Sequence, residues 1–345
     1  METMAVKNIL DVLVLTLGVI LLIVALVVIV DFLCFGFFSF NFHQILHPER
    51  YNISLPKTER TKKDHEIIQQ GKNIASRKKI MIASLARDVD GIFDKATKRI
   101  EAIGSLFGDY EVVIFENDSK DGSRKLLKSW MSRNPRVNLL DCDDLGCKDC
   151  KFNTNDGYTL GAASLDRMNR MSFFRNRYVD QFCKNSNSDY LLVYDFDLDG
   201  GVSLDGILHS IGSEDLWDAV FARGISRLPQ LGLTPVMYDG LAYVSEKCDK
   251  KSIFSRFLEL NSLPGDGFVK VKSAFNGLGI YKRKAVLSAR YHSVNETLNC
   301  EHIGFHYDMI KNGHDKMYIN NSMEIEAGPQ GPDNKFLTTW QFLFC

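Results

Sequence analysis

The sequence predicts an α/β domain, with a mixed sheet flanked by helices, that follows one transmembrane helix near the N-terminus. Two observations lead to this fold class. Between residues 79 and 194, short apolar runs alternate with longer segments of helical periodicity, which is typical of parallel strands joined by right-handed helical crossovers. Residues 12–30 form an uncharged stretch of 19 residues, long enough to cross the hydrocarbon core of a bilayer.

The apolar stretch is interpreted as an uncleaved anchor. A cleaved signal peptide ends its apolar region in small residues, whereas Asp31, Phe32 and Leu33 follow here. The N-terminal tail has too little charge to fix the orientation, and we expect a single-pass type II protein facing the lumen of the Golgi or endoplasmic reticulum. The expected division is a tail over 1–8, the anchor and its flank over 9–40, a polar stem over 41–77 and one domain over 78–345.

Composition places the rest of the chain among ordinary globular domains. The 345 residues are 45% hydrophobic and 25% charged, with a formal net charge of −1, which allows a sizeable core. Lysine and arginine form no basic stripe with interleaved aromatic residues, so no nucleic-acid partner is expected.

The strands and helices follow from apolar runs and helical spacing. Strands are expected over 79–85, 110–115, 137–140, 190–194 and 218–223. Helices are expected over 58–72 within the stem and over 92–107, 123–131 and 159–183.

Three cysteines, Cys142, Cys147 and Cys150, share one polar loop with the spacing C-x4-C-x2-C. They would fit part of a zinc site or remain free thiols, but a disulfide within the loop is favoured for a secreted domain. Three glycosylation sequons also suit a luminal domain; they begin at Asn52, Asn295 and Asn320.

Asp195, Asp197 and Asp199 directly follow the apolar strand over 190–194. Alternate residues of an extended chain lie on one side, and carboxylates so close repel one another unless a cation lies between them. Oxygen ligands suit Mg²⁺ or Mn²⁺. The sequence therefore predicts a divalent-metal site, and the alternative is a polar turn that caps the next helix.

Polar residues also end the first two strands. Glu116, Asn117 and Asp118 would offer hydrogen bonds to a ribose or base, although this segment also suits the N-cap of the next helix. Ser84 and Arg87 follow the first strand, where Arg87 either pairs with a phosphate or is an ordinary surface arginine.

Further candidates lie on predicted helices. Arg175, followed by Asn176, has the planar guanidinium that binds phosphate oxygens, with a surface ion pair as the alternative. His302 and His306 are four residues apart and would share one helix face. We expect His306 to complete the aspartate site.

These motifs resemble the GT-A-fold (Rossmann-like) glycosyltransferases. The similarity covers about residues 79–242 and is greatest to the fungal capsule-associated alpha-1,3-mannosyltransferase group, whereas residues 275–281 and 300–302 look more like viral and bacterial transferases of that fold. The motifs that carry it are, in order, Glu-Asn-Asp-Ser-Lys-Asp-Gly-Ser over 116–123, Arg175-Asn176, Asp195-Phe-Asp197 and Tyr238-Asp239. Asp199-Gly-Gly makes this chain richer in acid than that group.

The resemblance implies transfer of a sugar from a nucleotide-sugar donor to a hydroxyl of a glycan or glycoconjugate, with Mn²⁺ or Mg²⁺ bridging the diphosphate. Asp195, Asp197, Asp199 and His306 would bind the metal. The donor would contact Ser84, Arg87, Glu116, Asn117, Asp118, Arg175, Asn176 and Asp195. Candidate bases are Glu301, Asp266 and Asp239, and candidate acceptor-binding residues are Tyr238, Asn276 and Gly277. The alternatives are a metal-dependent phosphohydrolase that uses His302 and His306, and a membrane-tethered carbohydrate-binding protein without turnover.

Overall fold

The computed structural model describes residues 2–30, 44–57, 59–142, 165–228, 234–247, 253–294 and 300–327. The helices are α1 Glu2–Val30, α2 Lys62–Ala75, α3 Phe93–Gly104, α4 Ser123–Arg133, α5 Leu165–Asn185, α6 Leu204–Gly212, α7 Ile253–Asn261, α8 Arg283–Leu287 and α9 Glu301–Lys311. The strands are β1 Lys79–Ala86, β2 Asp109–Glu116, β3 Val137–Asp141, β4 Tyr190–Tyr194, β5 Ala219–Leu228, β6 Thr234–Met237, β7 Val244–Ser245, β8 Phe268–Ser273, β9 Leu278–Lys282 and β10 Met317–Ala327.

The strands form one mixed sheet in the order β3-β2-β1-β4-β9-β5-β10-β8-β7, with β6 paired to β5. Strands β1 to β4 are parallel to one another, as the strand–helix alternation predicted. Strand β9 runs antiparallel to both β4 and β5, between which it lies. The predicted fold class, a mixed sheet flanked by helices, is therefore confirmed.

Both faces of the sheet are covered. On one face, Ile80 and Ile82 of β1 belong to a core that includes Phe93 and Ile100 of α3. Met81 and Ala83 point to the other face, into a core built by helices α5, α8 and α9. Because the central strands are apolar on both faces, their sequences are continuous apolar runs, which is the pattern of a buried parallel sheet.

Helix α1 contains the predicted membrane span. Its segment Asp11–Val30 is 20 residues long, strongly apolar and not buried against any other part of the described chain. Among the described residues it is the one helix that is long and apolar enough to cross a membrane.

The segment expected to be a stem is part of the folded unit. Helix α2 begins at a capping box in which Thr61 and Asp64 each accept a hydrogen bond from the other's backbone N–H. It packs on α6 so closely that a Cβ atom on Gly71 would lie 1.9 Å from the carbonyl oxygen of Leu208. The folded region therefore begins before residue 78, because the apolar face of α2 needs α6 to cover it.

The structure describes two of the three sequons and the first cysteine of the polar loop. Asn52 is exposed, but Asn320 is buried and its amide donates hydrogen bonds to His209 and Ser210, so it is inaccessible to modification in the folded protein. Asn295, Cys147 and Cys150 lie outside the described residues. Cys142 is disulfide-bonded.

Candidate active site

Four non-glycine residues with positive φ lie at one edge of the sheet. Asp88 (φ 50°) and Asp118 (φ 63°) follow β1 and β2, Asp239 (φ 65°) follows β6, and Asn276 (φ 57°) precedes β9. Such conformations are uncommon for residues with a side chain, and they concentrate at binding and catalytic sites. The carboxyl end of β4, which carries the aspartates, lies at the same edge because Tyr194 pairs with the first residue of β9.

Asp195 is the first residue after β4, and its backbone N–H donates to the carbonyl of Gly277 at 3.0 Å. Its carboxylate lies 3.8 Å from the guanidinium of Arg175. Burial, and then the charge of Asp197, raise the pKa of Asp195 well above its usual range, against the opposing effect of Arg175. A carboxyl in this position gains stability as an anion when a further positive charge arrives.

Asp197 is exposed beside Asp195. The positive charges of Arg175 and Arg167 act on its carboxyl. Phe196 and Leu198 insert into the core, so buried residues still alternate with the aspartates. The chain turns at residues 196–197, however, and Asp199 no longer continues the line of the strand.

Asp199 is consequently directed elsewhere. Its carboxylate accepts hydrogen bonds from Lys95 at 2.6 Å and from Gln44 at 2.9 Å. No group of three or more histidine, cysteine, aspartate or glutamate side chains in the described residues is arranged to hold a metal ion. The predicted triple-aspartate cluster is therefore replaced by a pair, Asp195 and Asp197.

Arg175, expected to bind phosphate, is a buried link between two carboxylates. Its Nε donates to Glu301 at 2.8 Å and its Nη1 to the Tyr178 hydroxyl at 3.2 Å. The guanidinium also lies over the ring of Phe275, 5.4 Å from the centroid. Since these contacts enclose the side chain, we assign Arg175 the role of holding Asp195 in place.

Two predicted donor-binding residues have structural partners instead. The Ser84 hydroxyl donates to the carbonyl of Tyr194, which ties β1 to β4. Both polar atoms of the Asn176 side chain bond to the backbone of Tyr291, at 2.8 and 2.9 Å. Their hydrogen-bonding capacity therefore serves the scaffold.

The end of β2 is also largely engaged. Glu116 is fully buried, accepts a hydrogen bond from the backbone N–H of Ser119 at 2.8 Å and pairs with Arg124 at 2.9 Å. It shapes the turn that leads to the partly exposed Asp118. Asn117 is 4% exposed. The Arg87 side chain is 20% exposed and its Nε lies 3.6 Å from the Asp88 carboxylate.

The three candidate bases occupy different environments. Asp239 lies close enough to Asp195 to raise the pKa of that residue, and burial raises the pKa of Asp239 itself to about 6. Glu301 is 4% exposed and paired with Arg175. Asp266 is exposed.

The predicted acceptor loop is braced against the aspartates. The Asn276 amide donates to the carbonyl of Ala222 at 2.7 Å, while its side-chain oxygen is buried with no hydrogen-bond partner among the described residues. Gly277 has φ 86°, and a Cβ there would lie 2.8 Å from Leu198 and 3.6 Å from the ring of Tyr238. The loop therefore fixes the floor of the site by close backbone approach.

The two histidines are core residues of α9. His306 is fully buried, with Nδ1 2.7 Å from the Ser273 hydroxyl and Nε2 3.1 Å from the Tyr281 hydroxyl. Because both ring nitrogens are engaged, we do not assign His306 to a metal. His302 is 2% exposed and stacks on Phe275, and neither of its ring nitrogens has a hydrogen-bond partner within the described part of the chain.

Two arginines were missed from the sequence. Arg167, eight residues before Arg175 on α5, acts electrostatically on Asp197, and that helical spacing was the available signal. Arg99 of α3 is fully buried and donates to the carbonyls of Leu198 and Asp199. No local pattern marks Arg99, because its partners lie a hundred residues away.

No protein-family model and no curated protein matches this sequence. Among solved structures, S. aureus TarS (residues 1–349) is 9% identical over 72% of this chain, with a TM-score of 0.41. The mannosyltransferase PcManGT from Pyrobaculum calidifontis, in complex with GDP-Man and Mn²⁺, is 9% identical over 75%, with a TM-score of 0.40. GalNAc-T7 with UDP, GalNAc and Mn²⁺ is 10% identical over 73%, with a TM-score of 0.43.

The present chain spans less than two thirds of each of these proteins, covering 60%, 64% and 44% of them respectively. With TM-scores below 0.5, the likeness assigns neither a family nor an activity to this chain.

Proposed function

We propose that this protein is a metal-dependent glycosyltransferase that moves a sugar from a nucleotide-sugar donor to a hydroxyl of a glycan or glycoconjugate. The observation that carries the proposal is the pair Asp195 and Asp197 at the carboxyl end of β4. Ligands of open α/β sheets gather at this end of the strands. Burial and the neighbouring charge of Asp197 raise the pKa of Asp195, which indicates a place where a cation would stabilise the carboxylates.

The residues present fit a hard divalent ion. Mg²⁺ takes oxygen ligands and is commonly held by one or two carboxylates together with substrate phosphates, so a pair of aspartates suffices when a diphosphate completes the set. Mn²⁺ takes the same class of ligands. When bound, the ion would neutralise charge on the departing diphosphate. Asp195 and Asp197 are the residues that would hold it.

Neighbouring side chains would set the charge and orientation of the pair. The guanidinium of Arg175 lies beside the Asp195 carboxylate and also pairs with the buried Glu301. Arg167 acts on Asp197 and is the cation we assign to the donor phosphates. Positive charge fixed beside a leaving diphosphate stabilises the charge that develops during transfer.

Asp239 is the residue we assign as general base. The acceptor hydroxyl oxygen forms a bond to the anomeric carbon while the bond from that carbon to the diphosphate oxygen breaks, and Asp239 takes the hydroxyl proton. Its pKa of about 6 lies near the working range, where a base is most effective. Asn276 and Gly277 would shape the adjoining acceptor site.

The cellular setting belongs to the same proposal. Helix α1 would anchor the protein with its N-terminus in the cytoplasm and the sheet domain in the lumen of the Golgi or endoplasmic reticulum. The exposed Asn52 of the sequon Asn-Ile-Ser would be the glycosylation site there.

The test is release of nucleotide by the full-length protein in detergent. A panel of UDP-, GDP- and CMP-sugars is incubated with and without Mn²⁺ and with mixed glycan acceptors, and we expect metal-dependent release from one donor that rises when acceptor is added. Asp197→Asn should lose at least 100-fold, the range for one electrostatic group at an active site. Asp215→Asn, at an exposed position after α6, is the matched control and should keep full activity.

Three results would contradict the proposal. Release of free sugar or phosphate that no acceptor changes would indicate a phosphohydrolase. Donor binding without any release across the panel would indicate a carbohydrate-binding protein. Full activity of Asp197→Asn would remove the metal role of the pair.

A further inference from the structure

Residues 195–202, which follow β4, are here called the acidic loop. They are hydrogen-bonded to residues 44–55, here called the linker segment because it follows α1 in the chain. The backbone N–H of Gly201 donates to the carbonyl of Arg50 at 2.8 Å. Val202 donates to Ile53 at 3.3 Å and accepts from the N–H of Leu55 at 3.1 Å. The two stretches are thus joined by backbone hydrogen bonds in both directions.

Side chains reinforce this junction. Gln44 donates to the Asp199 carboxylate at 2.9 Å. A Cβ on Gly201 would lie 2.7 Å from the carbonyl oxygen of Asn52. Only glycine permits so close an approach without displacing one of the two backbones.

The linker segment has its own anchor in the domain. Arg50 pairs at 3.2 Å with Glu326, a carboxylate that is 1% exposed and also pairs with Arg227 at 2.8 Å. Tyr51 and Leu55 are each 8% exposed. Release of the segment would expose these two apolar side chains and remove one of two cations from a buried carboxylate, so docking is favoured.

We propose that the linker segment is a positioning element of the active site, which fixes the acidic loop so that Asp195 and Asp197 hold a divalent cation. The inference rests on the metal-dependent function proposed above. It follows from the contacts because cation ligands need a narrow geometry, and groups that orient the ligands change metal affinity by about 10- to 100-fold when they are removed. The stretch of chain next to the membrane helix thereby becomes part of the site.

The main test uses the double variant Arg50→Ala/Tyr51→Ala in the full chain in detergent. Hydrogen exchange of peptides covering residues 195–203 should become faster, since the N–H groups of Gly201 and Val202 lose their acceptors. Electron paramagnetic resonance of free Mn²⁺ should show affinity weaker by about 10-fold, with GDP or UDP present. The separate variant Arg50→Lys retains a positive charge for Glu326, so its hydrogen exchange and its Mn²⁺ affinity should stay close to those of the wild type.

A milder variant and a matched control separate positioning from folding. Gln44→Ala removes one amide donor from Asp199, and should weaken Mn²⁺ binding several-fold while the protein stays folded. Ile68→Ala removes buried atoms from α2, which packs on α6, and should leave Mn²⁺ affinity unchanged because it removes none of the contacts between the linker segment and the acidic loop.

Unchanged Mn²⁺ affinity in the double variant despite faster exchange of the acidic loop would overturn the proposal, and so would an equal loss in Ile68→Ala. Wild-type protein that binds no Mn²⁺, with or without nucleotide, would refute the proposed metal-dependent function instead. In that case, unchanged exchange in the double variant would show separately that the linker segment does not hold the loop.

Discussion

Replacing His306 with glutamine should make the stability of this protein less sensitive to acid. The imidazole is fully buried, with Ser273 and Tyr281 on its two nitrogens and Phe221 against its ring. Burial lowers its pKa from 6.5 to about 3. The unfolded chain therefore binds a proton at this position below pH 6.5, whereas the folded protein does not until about pH 3.

The sign and size follow from proton linkage. Because the folded pKa is the lower one, the contribution to stability is complete above about pH 6.5 and is lost as the pH falls toward 3. Each pH unit in that window costs about 1.4 kcal/mol of unfolding free energy, so His306 costs about 2 kcal/mol at pH 5 relative to pH 7. Glutamine has no proton to gain and removes this difference.

The measurement is urea unfolding of the full chain in detergent, followed by the fluorescence of the buried Trp130 and Trp217. Unfolding free energies of wild type and His306→Gln are compared at pH 7 and pH 5. The variant loses some stability at both pH values through its changed packing, but wild type should lose about 2 kcal/mol more than the variant between them. Equal losses would show that His306 is not held neutral in the core.

Three further changes test other parts of the structure. Arg175→Met leaves Glu301 buried without its cation and should lower the unfolding free energy by about 3–5 kcal/mol in urea titrations. Gly71→Ala drives a methyl group into the facing helix and should cost about 1–3 kcal/mol, whereas Gly91→Ala, with no atom within 4 Å of the added Cβ, should cost far less. The rate of nucleotide release should fall below about pH 6, as Asp239 is protonated, and Asp239→Asn should be at least 100-fold slower without that acid limb.

The first half of the fold was predictable because its signals are local. Strands β1 to β4 and the helices between them each carry an uninterrupted apolar run or a helical period. Strand β9 was not predicted, because its place between β4 and β5 depends on antiparallel pairing between segments about 60 to 90 residues apart. The docking of α2 on α6 was missed for the same reason, since a polar segment with one apolar stripe also suits a stem.

The sequence predicted where the candidate site lies, but not which side chains point into it. Asp195 and Asp197 were identified because they follow a predicted strand, and a position at the end of a strand can be recognised from the sequence alone. The direction of other side chains depends on partners far along the chain: Asp199 turns to Lys95 and Gln44. Asn176 binds the Tyr291 backbone across 115 residues. A polar residue near a site therefore becomes a ligand-binding group only where the scaffold leaves it no internal partner.

The charges around the aspartate pair indicate why a divalent metal ion would suit the site better than arginine side chains alone. Asp195 is influenced by the negative charges of Asp197, Asp239 and Glu301, while Arg175 is the cation that opposes them there. Arg175 already shares its charge with Glu301 at 2.8 Å, so it cannot also neutralise an incoming diphosphate. Arg167 is the arginine that we assign to the donor phosphates, and its single charge does not balance a diphosphate beside these carboxylates, so a donor would gain from positive charge that arrives with it. Under the proposed function, the excess of carboxylates would disfavour a diphosphate that arrives alone and favour one that arrives with Mn²⁺ or Mg²⁺.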